Sequence, residues 1–94
     1  RLPLVRGLGD VYKRQEYANT EKLFKMFDML ESEARSMIEN KISLPAYDQC
    51  LKSSHVFNIL DSRGVISVAQ RAEYISRIRD LTKEIGKIWI ESQS

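Results

Sequence analysis

The sequence predicts an all-α chain, an antiparallel bundle of three helices over about residues 20–40, 45–62 and 68–91. Two observations carry that expectation. Apolar residues recur at steps of three and four along each stretch, the spacing of one helix face. The stretches are separated by short links marked by Pro45 and Gly64, and short links make neighbouring helices antiparallel.

In the first stretch Asn19 or Thr20 can cap a helix whose apolar residues follow at Leu23, Phe27, Leu30, Ala34 and Met37. Phe24 and Ile38 widen this stripe, while Glu21 with Lys25 and Glu31 with Arg35 form pairs four apart that read as the outer side. After the link, Ser43 can cap a second helix that tolerates Pro45 in its first turn, where a missing N–H leaves no bond unmade. Tyr47, Cys50, Leu51, Ser54, Phe57 and Leu60 trace its expected inner face, and Gly64 supplies a left-handed stop. Ser67 with Gln70 has the form of a capping box, so the third helix starts at Val68. Its stripe is Ala72, Ile75, Ile78, Leu81, Ile85 and Ile88, with Trp89 and Ile90 at an apolar end that suits a missing partner surface. A body of this size buries only about 60% of its unfolded surface, so it is expected to be marginally stable alone.

With 43% hydrophobic and 30% charged residues, the chain falls among soluble globular sequences and holds one domain at most. No run approaches the roughly 20 apolar residues of a membrane span, and no secretory signal pattern opens the chain; the expected address is the cytoplasm, with no membrane partner. Cys50 is the only cysteine, which excludes an internal disulfide and a cysteine-rich zinc site; its helical neighbours make it a buried, inert thiol.

Residues 1–15 are set apart as a non-native leader, disordered or loosely attached, in front of a helical domain at 16–94. Arg1 stands where an initiating methionine would, which suggests a reading frame that starts inside a longer gene. Arg6 to Gln15 read RGLGDVYKRQ, and one choice of codons for that string spells a transposase adapter used in sequencing libraries. The charge follows from this. Four of the fifteen basic residues and one of the thirteen acidic ones lie in the leader, so the body carries eleven against twelve and the net +2 is no nucleic-acid footprint.

From Leu44 to Arg79 the chain reads LPAYDQCLKSSHVFNILDSRGVISVAQRAEYISRIR. This resembles the glycyl-tRNA synthetase alpha-subunit family near its C-terminus. Leu44, Pro45, Ala46 and Tyr47 open the shared pattern, followed by Leu51, Lys52, His55, Phe57, Asn58, Leu60, Asp61 and Arg63. It continues through Ile66, Ser67, Val68 and Arg71, then Tyr74, Ile75, Arg77, Ile78 and Arg79. Ser53 and Ser54 stand where alanines are common, and Gln70 where glutamate is usual. The resemblance implies an enzyme of two alpha and two beta subunits that activates glycine with ATP and magnesium and transfers it to tRNA-Gly. It also implies a class II catalytic core elsewhere in the intact alpha subunit. This segment would then be a helical assembly or positioning appendage, a fragment without catalytic, cofactor-binding or metal residues. The alternative is a free-standing helical module for protein or RNA interaction.

His55, Asn58 and Asp61 follow one inclined row of the second helix, with Arg63 just beyond. One histidine without a second carboxylate at ligand spacing argues against a metal or acid–base site. The expected role is a polar network that fixes how the second and third helices meet, or an interface. Asp61 is expected to pair with Arg71 across the corner. Arg71, Arg77, Arg79, Lys83 and Lys87 could line phosphates, but Glu73, Asp80, Glu84 and Glu91 interleave with them, which favours a solvated or intersubunit face. Tyr74 and Trp89 are expected in a core or interface rather than stacked on bases.

Overall fold

The computed structural model describes the backbone of residues 2–93 and the side chains of residues 20–93. It holds three helices, α1 (Leu2–Glu39), α2 (Ser43–Ser62) and α3 (Val68–Gln93), folded back on one another as the sequence predicts. The backbone is already helical at Leu2, so neither Asn19 nor Thr20 caps α1. A polar side chain caps only where the preceding backbone leaves the helix, and here it does not. How the leader, 1–15, attaches lies outside the described side chains.

The first link is a tight reversal. Ile42 N–H donates to Met37 O at 2.8 Å and Lys41 N–H to Ile38 O at 2.9 Å, the paired bonds that close a helix end around a left-handed residue. That residue is Lys41, with φ 59°, although most such positions are glycine. The reversal makes Ile42, in extended conformation, the residue before α2, and it gives no side-chain cap. Ser43, expected as the cap, is instead the first helical residue. Pro45 stays within the first turn, where the helix has no acceptor to offer it.

The second link meets its expectations more closely. Gly64 has φ 70° and donates its N–H to Asp61 O at 3.0 Å. Ser67 N–H donates to Gln70 Oε1 at 2.9 Å while Gln70 N–H donates to Ser67 Oγ at 3.1 Å, a complete capping box.

Two apolar clusters fill the interior. One joins Phe27, Val56, Phe57, Leu60, Ile66 and Tyr74; the other joins Ala34, Ala46, Cys50, Leu81 and Ile85, and Ile78 packs against both. The inner face of α2 is turned relative to expectation. Ala46, Cys50, Ser53, Val56, Phe57 and Leu60 are buried, whereas Tyr47 and Leu51 are about half exposed. Small side chains explain the difference. Ala34, Ala46 and Ser53 are fully buried, so the bundle closes through its least bulky positions, which hydrophobicity alone does not favour. Ser53 satisfies its hydroxyl by donating to Cys50 O at 2.7 Å. On α3 the correction is smaller, with Ala72 exposed and Tyr74 taking the buried place.

The two left-handed turns predict opposite responses. Lys41→Gly should raise the unfolding free energy by about 0.5–1 kcal/mol, and Gly64→Ala should lower it by about 1 kcal/mol, because an L side chain is strained at positive φ. Urea denaturation of both variants checks the pair; a destabilised Lys41→Gly would mean that the turn carries no strain.

Candidate functional site

The densest polar arrangement sits where α1 meets α3, around Arg77. Its Nε donates to Glu31 Oε2 at 3.0 Å, and its Nη2 donates to Glu31 Oε1 and to Asp28 Oδ1, the latter at 2.8 Å. The guanidinium carbon lies 4.8 Å from the ring centroid of Phe27 and 5.0 Å from that of Tyr74. Helical spacing builds both halves. Phe27 and Glu31 are four apart on α1, and Tyr74 and Arg77 three apart on α3, so each element presents an aromatic and a charge on one face. Tyr74 meets Phe27 edge-on, with centroids 4.7 Å apart and planes at 88°, and also contacts the rings of Phe24 and Phe57. One ring therefore ties α3 to both other helices.

The electrostatics follow from this packing. The hydrogen bonds from Arg77 hold the Glu31 carboxyl below its ordinary range against the opposing pull of burial. The same bonds push Arg77 further above its ordinary value, so it stays charged. Burial raises the Tyr74 hydroxyl. Glu31, read from the sequence as an outer-face residue paired with Arg35, is 13% exposed and reaches Arg35 only at 3.5 Å. The signal was present. Glu31 lies four residues after Phe27 and three before Ala34, inside the buried stripe, and a carboxylate there needs a cation from a neighbouring helix.

Among the other sequence candidates, Asp61 and Arg71 meet. Arg71 Nε and Nη2 both reach Asp61 Oδ1, at 2.9 and 2.8 Å, joining the end of α2 to the first turn of α3. His55 and Asn58 do not join them. Both are exposed and make no side-chain hydrogen bond among the described residues, so the row does not form a network at this corner. The reason is rotational: the turn of α2 that buries Ser53 and Val56 carries His55 to the outside. Arg63 contributes its backbone, its N–H donating to Ile59 O at 3.1 Å. Arg71 and Arg77 are engaged by carboxylates rather than aligned in a strip with Arg79 and Lys83, which are exposed and make no ion pair among the described residues; Lys87 pairs with Glu84. Among the described residues no group of three His, Cys, Asp or Glu side chains could hold a metal ion.

Two apolar grooves flank this framework. One of about 290 Å³ is lined by Ser43, Leu44, Tyr47, Thr82, Ile85, Gly86 and Trp89. The other lies between α1 and α2, with Met26, Leu30, Leu51 and Val56 as its walls and Lys52 and His55 at its edge.

A family model described as glycyl-tRNA synthetase alpha subunit matches residues 10–94, a stretch that takes in α2, α3 and most of α1. This chain belongs to the glycyl-tRNA synthetase alpha-subunit family. The match begins within the segment read as a leader and continues through the first helix, well beyond the stretch from Leu44 to Arg79 that carries the motifs. No described helix is long and apolar enough to cross a membrane.

The two charged joints should differ in strength. At neutral pH a double-mutant cycle on Arg77→Ala and Glu31→Ala should give a coupling of about 1.5–3 kcal/mol, because the hydrogen bonds are charged and partly shielded. Glu31 titrates below its ordinary value of 4.5 when folded, so its contribution is complete above that pH and is lost as pH falls through the depressed value. The coupling should shrink on acidification; a pH-independent coupling would show that the carboxylate is not its source.

For Asp61→Asn and Arg71→Gln, with side chains 34% and 48% exposed, the same cycle should give no more than about 1 kcal/mol. Strict additivity would mean that the two side chains do not interact in solution.

Proposed function

We propose that this chain is the C-terminal helical segment of a glycine–tRNA ligase alpha subunit and that it serves assembly and positioning within the intact enzyme. The observation that carries this reading is the division of its side chains. The arginines best placed for chemistry, Arg71 and Arg77, are neutralised by carboxylates of the same chain, while apolar Leu44, Tyr47, Trp89 and Ile90 face outward. Polar groups hold the bundle together and apolar ones are left for contact with something else.

ATP and magnesium belong, on this reading, to the catalytic core of the intact enzyme. Among the described residues Arg71 and Arg77, the arginines nearest to carboxylates, are paired within the chain, and no group of three His, Cys, Asp or Glu side chains could hold a metal ion. The partners proposed are a second alpha subunit, two beta subunits and, through the complex, tRNA-Gly, all in the cytoplasm. The purified chain should give no glycine-dependent exchange of pyrophosphate into ATP. Exchange above an empty-vector control would overturn the proposal that this segment carries no chemistry.

A further inference from the structure

We propose that the groove between the start of α2 and the last turns of α3 is a docking site for an amphipathic helix of a partner chain that carries carboxylates beside its apolar face. The inference rests on the assembly role proposed above and adds to it a place and a chemistry.

Three observations converge on this groove. Its walls are apolar and open, with Leu44 64% exposed, Tyr47 46% and Trp89 43%, and Ile90, next in sequence to Trp89, is 70% exposed. Its floor includes Gly86, inside α3, where a side chain would meet nothing within 4 Å. Glycine disfavours a helix interior, and nothing in this bundle requires one there. A side chain at that position would project into the open space of the groove and take room from an incoming chain. The rim supplies the sign of the charge. Lys83 lies three residues before Gly86 and Arg79 three before Thr82, about one helical turn along α3 from residues that line the groove. Both are exposed and make no ion pair among the described residues, whereas Glu84 is taken by Lys87, and Asp48 by Lys52.

A concave apolar trough edged by free cations complements a helix with an apolar stripe and flanking glutamates or aspartates. A phosphate backbone is a poorer match, since the exposed surface of the trough is almost wholly apolar.

Trp89 is the only tryptophan and lines the groove, so its fluorescence reports occupancy directly. The probe is a synthetic helix of about five turns with leucines on one face and glutamates on the other, compared with the same peptide carrying lysines for the glutamates. The acidic peptide should shift Trp89 emission to the blue with saturation and bind about tenfold more tightly than the basic one. Arg79→Glu with Lys83→Glu should reverse that preference. Gly86→Leu should abolish binding while keeping or raising the melting temperature, since leucine favours the helix and its Cβ meets nothing within 4 Å.

Absence of a saturable shift, indifference to peptide charge, or undiminished binding by Gly86→Leu would each overturn the proposal. So would a shift produced by chain concentration alone, which would assign the groove to a second copy, or a stronger response to a single-stranded RNA oligonucleotide. Co-purification with the beta subunit separates the two layers of inference. Equal capture by the wild-type chain and Gly86→Leu would sink the groove and spare the assembly role. Peptide binding without beta-subunit capture would spare the groove and count against that role.

Discussion

A guanidinium placed between two helices imposes a strict condition: removed from part of its water, it must find acceptors whose geometry matches its donors. Arg77 meets that condition through a forked contact with Glu31, a further bond to Asp28 and the faces of Phe27 and Tyr74. The partners lie on a different helix far away in sequence, so satisfying them fixes the axial position and the rotation of α3 against α1. Apolar packing constrains such offsets less sharply, because leucine and isoleucine contacts re-form after a shift while a fork does not. Lysine would keep the charge and lose the registry, since an ammonium has no planar fork. The joint acts as a specificity device within a bundle whose cohesion comes from its two apolar clusters.

The links serve the same end by different means. At the α1–α2 reversal the chain accepts a left-handed lysine, and the turn brings Ala34 of α1 and Ala46 of α2 into one cluster. At the α2–α3 corner, Gly64, the Ser67–Gln70 capping box and the Asp61–Arg71 bond are stacked within a few residues. Redundant local devices at one corner and a strained single residue at the other leave the Arg77 joint to decide the long-range fit.

Polarity is distributed unusually for a free-standing domain. No buried side-chain nitrogen or oxygen among the described residues lacks a partner, so the interior is complete. Outward-facing Leu44, Tyr47, Trp89 and Ile90 are large, apolar and close together along α2 and α3. The family to which the chain belongs is described as that of a subunit. The assembly role proposed above would use that surface, while the charges serve the fold of the segment itself.

What the sequence by itself determined is local. Helix periodicity, Pro45, Gly64 and the Ser67–Gln70 box each act within a turn or two of backbone, and the structure shows α2, α3 and the second link where those signals put them. The pairing of Asp61 with Arg71 was legible for the same reason, since a short corner leaves few partners within reach. The family, too, was legible in the motif-dense stretch from Leu44 to Arg79. Tertiary structure decided the rest. Which face of α2 turned inward depended on how closely three helices approach, and that favoured Ala46 and Ser53 over the more apolar Tyr47 and Leu51. His55 was carried outward by the same rotation, and Glu31 inward by contact with an arginine 46 residues along the chain. Such choices depend on volumes and partners from distant segments, which no window of sequence contains.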